Sequence, residues 1–289
     1  MTIDPASQSI PALFNILTTA VAPRPICFAS TVDAAGRVNL SPFSFFNVFG
    51  ANPITFAFSA SRRVRDGSTK HTLENILEVP EVVINIIDFP LVEQLSLAST
   101  EYAKGVNEFV KAGFTEVGSD LVRPPRVGEA PIAFECHVDQ ILDLGTGPGS
   151  GNLVIARAVR IHLADGVLTD GKLDAAKLDL VARMGGNEYL RASAEAKFTI
   201  PKPIHSLGIG IDQLPEAVRN SAVLTGNNLG RLGNLERLPT AEEIAATAER
   251  PEVQAAAQEG ELALHLLAQK ALLAGATEEA LRVLLVGGR

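Results

Sequence analysis

Tryptophan is absent from this 289-residue sequence, and tyrosine, methionine and cysteine occur only twice each. Two cysteines, Cys27 and Cys136, exclude a disulfide scaffold and a four-cysteine zinc site; reduced thiols in a cytoplasmic protein are the expectation. No apolar run reaches the ~20 residues that span a bilayer. The most apolar stretch, Leu262 to Val286, is broken by His265, Gln269, Lys270, Glu278, Glu279 and Arg282 and reads as packed helices. Met1 to Ser9 is polar and lacks the pattern of an export signal. Basic side chains are in deficit, 25 against 33 acidic for a formal charge of -8, which excludes a general nucleic-acid binder. Hydrolase elbows, His-Glu-x-x-His and the Walker loop are missing. The five histidines (His71, His137, His162, His205, His265) show no ligand spacing, so no metal site is expected.

What is present is a 46% hydrophobic, 20% charged chain able to bury a sizeable core as one large domain or two ordinary ones. From Pro25 to about Leu168 the pattern favours strands. Ile26 to Val32, Ile54 to Ser59 and Val82 to Asp88 are short apolar or β-branched runs between turn residues. Ala34-Ala35-Gly36 and Asp165-Gly166 read as hairpin turns. Ile132, Phe134, Cys136 and Val138 alternate with Glu135, His137 and Asp139, as do Leu153, Ile155, Val159, Ile161 and Leu163 with their neighbours, predicting half-buried strands. Short helices are expected near Thr72 to Leu77 and Leu91 to Leu97, and a third along Leu173, Leu180, Val181 and Met184. Successive strands with few crossover helices point to a mainly β, antiparallel barrel with peripheral helices. Pro201-Lys202-Pro203 closes it. Leu224 to Gly233 reads as an irregular Gly/Asn loop, Thr240 as a capping-box start and Pro251 as a helix start. The chain therefore divides into residues 1–203, a barrel, and 204–289, a mostly helical extension packing on the barrel or a dimer interface.

Two clusters carry chemistry. Ser59 to Thr72 holds Arg62, Arg63, Arg65 and Lys70 against Asp66, a local +3, and leads into a helix whose N-terminal amides suit a phosphate. A solvated basic loop is the competing reading. Asn39 to Asn47 mixes Phe43, Phe45 and Phe46 with small hydroxyls, a composition that packs on a planar ligand while Ser44 bonds its edge; the same rings also serve as core. The glycines at 145, 147, 149 and 151 lie between two strands, so they are not a dinucleotide fingerprint but a hairpin loop, flexible or cofactor-contacting.

Pro23-Arg24-Pro25-Ile26, Ser30 to Asp33 with Gly36, and Asn39 to Phe46 resemble the flavin reductase-like, FMN-binding split-barrel family, which includes flavoredoxin-like proteins. The resemblance continues through Ser59, Arg62, Lys70 to Ile76, Val83 and Asn85, Gly151 to Arg160, and Gly185 to Arg191. It implies a split β-barrel, usually a homodimer, binding FMN near the subunit interface. The family's phosphate-binding positions fall on Arg62, Lys70 and Thr72, with Ser59 and Asn75 nearby. Its ring-lining stretch falls on Ser41, Pro42, Phe43, Ser44, Phe45 and Phe46, and further contacts on Ser150, Gly151, Asn152, Tyr189 and Arg191. His71 stands where the family often has Asp.

The implied activity is an FMN-dependent oxidoreductase taking hydride from NADH or NADPH and passing electrons to a small-molecule substrate or a partner oxygenase. A non-enzymatic FMN electron carrier is the alternative. Flavin N5 carries the hydride chemistry, so no catalytic residue is singled out, and the missing acid–base motif agrees with that. Neither a membrane nor a nucleic acid is an expected partner.

Overall fold

A computed structural model describes residues 1–200 and 207–287 and divides the chain into two compact units, Met1–Phe198 and Thr199–Arg289. The boundary expected at 203/204, the Pro201–Pro203 stop and His205 lie outside the described residues.

The first unit is built on seven antiparallel strands: β1 (Cys27–Val32), β2 (Val38–Phe43), β3 (Phe46–Ala51), β4 (Ile54–Ser59), β5 (Glu81–Ile86), β6 (Ile132–Asp143) and β7 (Asn152–Leu163). Their order in the sheet is β2-β1-β5-β6-β7-β4-β3. The two edge strands, β2 and β3, are therefore neighbours in sequence, joined only by Ser44 and Phe45. Laid flat, the sheet would hold its edges ~29 Å apart, whereas three Cα steps span at most ~11 Å. The sheet must curl, and at the link the Phe45 carbonyl accepts the Ser59 N–H at 2.8 Å, extending the β3–β4 ladder by one step. This is the split barrel expected from the sequence.

Strand β1 is buried along its whole length because it has core on both faces. Cys27 and Ala29 point into the barrel with Phe43, Phe56, Phe58, Val82, Ile84, Cys136, Val154 and Ala156. Phe28 points outward with Leu40, Leu95, Phe109 and Phe114, beneath α3 (Val92–Ala98) and α4 (Glu108–Ala112). Phe58→Ala would empty the interior at a cost of about 3–5 kcal/mol. Helix α2 (His71–Glu78) adds Leu73 and Ile76 to that interior. Ahead of β1 stands α1 (Ile10–Ala20), capped by Ser9, which the sequence reading does not anticipate.

Several expectations are corrected. The tight hairpin lies at Asp170-Gly171, both with positive φ (50° and 73°), because Asp165-Gly166 is taken up in a 3-10 turn. No helix runs through Leu173 to Met184. Leu180 and Val181 instead pair in extended form, with β8 (Val181–Arg183) against β9 (Tyr189–Arg191) and Leu180 bridged to Asp88. In β7 the interior residues are Val154 and Ala156, while Ile161 and Leu163 are exposed; Ala156 lies opposite Phe56, where a small side chain leaves room for the ring. In β6, Glu135 does not face water: it is fully buried.

The second unit is helical: α5 (Glu216–Arg219), α6 (Gly226–Gly233), α7 (Ala241–Ala248), α8 (Pro251–Glu259), α9 (Glu261–Leu273) and α10 (Thr277–Val286). Its own core includes Leu214, Leu232, Val253, Leu272, Leu281 and Leu284. The Gly/Asn stretch expected as a loop is α6, because Thr225 and Asn228 form a capping box; of its glycines, Gly233 serves close packing, with a Cβ there 2.9 Å from the Ile211 nitrogen. A Cβ on Gly208 would come 2.5 Å from the Gly233 carbonyl oxygen. Thr240 and Pro251 start helices as expected. The Ser221 hydroxyl accepts the Val223 and Leu224 amides at 3.2 Å and lies 2.7 Å from His265 Nδ1, a pin between the α6 entry and α9.

Candidate functional site

The four cations between β4 and α2 fall into two groups. Arg63 and Arg65 are neutralised: Glu101 accepts from Arg63 Nε at 3.0 Å and from Arg65 Nη2 at 3.2 Å, and Asp66 accepts from Arg65 at 2.9 Å. Arg63 also donates to Ser68 Oγ and to the Thr69 carbonyl. Arg62 and Lys70 form no ion pair among the described residues. Arg62 makes one long contact to the Gly67 carbonyl at 3.3 Å, and its Nε is buried with no partner. Lys70 Nζ sits 5.1 Å from the centre of the Phe43 ring, and burial, with Arg63 beside it, holds its pKa below the usual lysine value.

Lys70 is also the N-cap of α2 and makes no side-chain cap, so the first helical amides have no partner from it. Arg62 and Lys70 thus precede α2 without an ion-pair partner among the described residues, and cations ahead of a helix N-terminus are groups that suit an anion.

Three segments meet next to it. Arg62 N–H bonds the Ser150 carbonyl at 2.9 Å, Ala60 N–H the Asn152 carbonyl at 3.1 Å, and Asn152 Nδ2 the Ala60 carbonyl at 3.0 Å. A Cβ on Gly151 would come 3.1 Å from Ser59 Oγ, a close approach of the two segments. The Ser44–Phe45 link lies against the end of β4. Of its neighbours, Phe43 packs on Phe58 (5.3 Å between ring centroids) and Phe46 stacks on Phe56 (5.8 Å), so both rings belong to the core. Phe45 is exposed and is flanked by Phe14 of α1 and the Arg24 guanidinium. Ser41 and Pro42 are half-buried in the β1–β2 ladder.

Other residues singled out from the sequence are engaged elsewhere. The fully buried Thr72 hydroxyl accepts from Asn39 Nδ2 at 2.9 Å, and Asn75 Nδ2 donates to Thr31 at 3.2 Å, tying α2 to β2 and β1. Tyr189 lies under the Arg183 guanidinium, and Arg191 is held by both Asp179 oxygens at 2.8 and 2.6 Å over the Phe89 ring. His71 lines a cavity of about 10 Å³ with Asp33, Arg37, Asn39 and Lys104, and burial lowers its pKa.

Sequence reasoning gave no site role to Arg24, which stands in the Pro23 to Ile26 block of the resemblance and bonds Ser44 Oγ at 3.4 Å. It also missed the group Asp120, Glu135 and His162, whose ligand atoms lie within 4.8 Å. Burial opposes ionisation of Glu135, but the amides of Asp120 and Leu121 and the ring of His162, all at 2.6–2.7 Å, outweigh it and lower its pKa. Both carboxylate oxygens are already occupied, so the group anchors the 119–121 loop to the sheet. The Cys27 thiol is pushed up by burial, and that of Cys136 to about 12, so neither is a nucleophile at neutral pH.

Fold and side chains together define a split-barrel protein with two cations free of ion pairs ahead of α2 and an exposed aromatic, Phe45, at the end of β4. The sequence model of the flavin reductase like domain matches residues 20–177, and the chain belongs to that flavin-binding family. An uncharacterized protein of Halalkalibacterium halodurans is 37% identical over 191 residues, 65% of this chain and 91% of that one. Among solved structures, nitrilotriacetate monooxygenase component B from Bacillus cereus superposes with a TM-score of 0.64 at 29% identity, covering 69% of this chain and 98% of its own. The 2-nitrobenzoate 2-nitroreductase of Pseudomonas fluorescens does so with 0.60 at 26%, covering 72% and 100%.

Proposed function

We propose that the protein is an FMN-dependent oxidoreductase that takes hydride from NADH or NADPH and delivers electrons to a small-molecule acceptor or a partner oxygenase. The observation that carries this reading is the pair of cations without ion pairs, Arg62 and Lys70, in the segment that runs from the end of β4, where the Phe45 carbonyl is bonded, to the N-terminus of α2. These residues fit FMN: the orphaned Arg62 Nε, the Lys70 ammonium and the α2 amides receive the phosphate. The half-exposed Phe45 ring and the Ser44 hydroxyl line the isoalloxazine, and Ser59 with Ser150 to Asn152 walls its other side. Bound FMN supplies hydride acceptance at N5. Phe45 keeps water from one ring face, Ser44 offers a hydroxyl to the ring edge, and the cations hold the phosphate in register.

The similarity to a monooxygenase component B supports the partner-oxygenase reading. A homodimer is supported by α1, which has no charged residue and exposes Ile10, Phe14 and Leu17, followed by Val21, at helical spacing. No helix is long and apolar enough to cross a membrane among the described residues, and a cytoplasmic location accords with two free thiols.

The test is the visible spectrum of the protein with FMN, before and after anaerobic NADH or NADPH. A bound-flavin spectrum that bleaches supports the reductase. A bound flavin that stays oxidised indicates a carrier, and a protein that takes up no FMN removes the reading.

A further inference from the structure

Arg24 is only 6% exposed and has no carboxylate partner among the described residues. Its Nη1 donates to the carbonyls of Thr18 and Val21, both at 2.6 Å, and its Nη2 to that of Met184 at 2.9 Å. Its Nε reaches Ser44 Oγ at 3.4 Å, and the guanidinium carbon lies 5.9 Å from the Phe45 ring centre. Its backbone pairs with Arg183, the one charged neighbour that influences it, and burial together with Arg183 lowers its pKa. One side chain thus ties the end of α1, the β8 ribbon and the Ser44–Phe45 link together.

A buried arginine is ordinarily matched by a carboxylate, because an unmatched charge is costly. Here every partner is a neutral oxygen. The carbonyls at the end of α1 orient the guanidinium and offset part of its charge, but the remaining field is left beside the turn. A group placed against Ser44 and Phe45 feels that field more when it is negative than when it is neutral.

We propose that Arg24 is a positioning residue for the flavin turn and that its charge favours the anionic reduced ring over the neutral oxidised one. This rests on the FMN reading above. Two electrons and one proton convert the neutral oxidised ring into a reduced ring of charge -1; a second proton would neutralise it. Arg24 holds off that second proton and binds Ser44 by its oxygen, leaving the Ser44 hydroxyl proton free to face the ring edge.

The experiment is an anaerobic redox titration of the FMN-loaded protein across the acid-to-neutral range in which free FMN passes from two protons per electron pair to one. The expected result is one proton throughout for the native chain. Arg24→Met restores the second proton at the acid end and lowers the preference for reduced over oxidised FMN by about tenfold, the equivalent of one pKa unit. Arg24→Lys keeps the charge and the single proton.

Two protons in the native chain at the acid end would overturn the proposal. So would a folded, FMN-loaded Arg24→Met that titrates like the native chain. Should Arg24→Met fail to fold, Arg24→Lys decides, since loss of the single-proton behaviour there excludes charge as the cause. Failure of the native chain to take up FMN overturns the earlier reading instead, and is seen before any titration begins.

Discussion

Arg62 and Lys70 share a loop with Arg63 and Arg65, and the four are indistinguishable by composition, yet their surroundings divide them. Glu101 and Asp66 close the second pair with ion pairs at 2.9 to 3.2 Å, whereas neither member of the first pair, half-buried ahead of a helix N-terminus, forms an ion pair among the described residues. A local charge excess is therefore a poor guide to an anion site. What matters is which cations the fold leaves unmatched, because a charge already paired has little left to give a ligand.

The comparison can be broken most directly at the unmatched pair. Arg62→Met or Lys70→Met should weaken FMN binding by about 1.5–3 kcal/mol, roughly ten- to a hundredfold, read by fluorescence titration of the flavin. Unchanged affinity in both variants would end the phosphate assignment.

A smaller effect comes from pH. The depressed pKa of Lys70 means that its ammonium is lost at lower pH than an ordinary lysine's, so affinity should fall as pH rises through that value. Lys70→Arg should stay flat over the same range. The phosphate itself favours the ammonium form, so the fall should be shifted upward in the loaded protein.

Arg63→Gln and Arg65→Gln should change the affinity least, by less than about fivefold, since exposed ion pairs contribute little. A loss at Arg65 as large as that at Lys70 would erase the distinction.

Short apolar and β-branched runs between turn residues revealed the strands, several of which are buried on both faces, and α2 and the Thr240 and Pro251 starts were legible because their end signals are local. Sequence reasoning misread Leu173 to Met184, where apolar spacing fits a helix but Leu180 and Val181 are claimed by pairing with Asp88 and Arg191. It misread Leu224 to Gly233 because glycine content outweighed the Thr225–Asn228 box. Residues of the candidate site were legible only in part. The charge cluster was visible, but that Glu101 would select which of its members remain free depends on a contact between distant segments. Phe43 and Phe46 could not be told from Phe45 by type; their directions are set by β2 and β3. Arg24 stood in the first block of the resemblance, but its role was hidden, since burial of a cation among carbonyls has no pattern in one dimension.

The two residues between β2 and β3 do more than line a pocket. They are the clasp, a covalent one, by which an open sheet joins its first edge to its last, and the Phe45 carbonyl, accepting from the Ser59 amide, carries the β3–β4 ladder into it. A flavin resting on that clasp would hold the fastening shut, so its binding energy would appear as resistance of the whole barrel to unfolding, growing with ligand concentration. Lengthening the link by a residue would loosen cofactor and barrel together, making the site and the closure of the fold a single mechanical element.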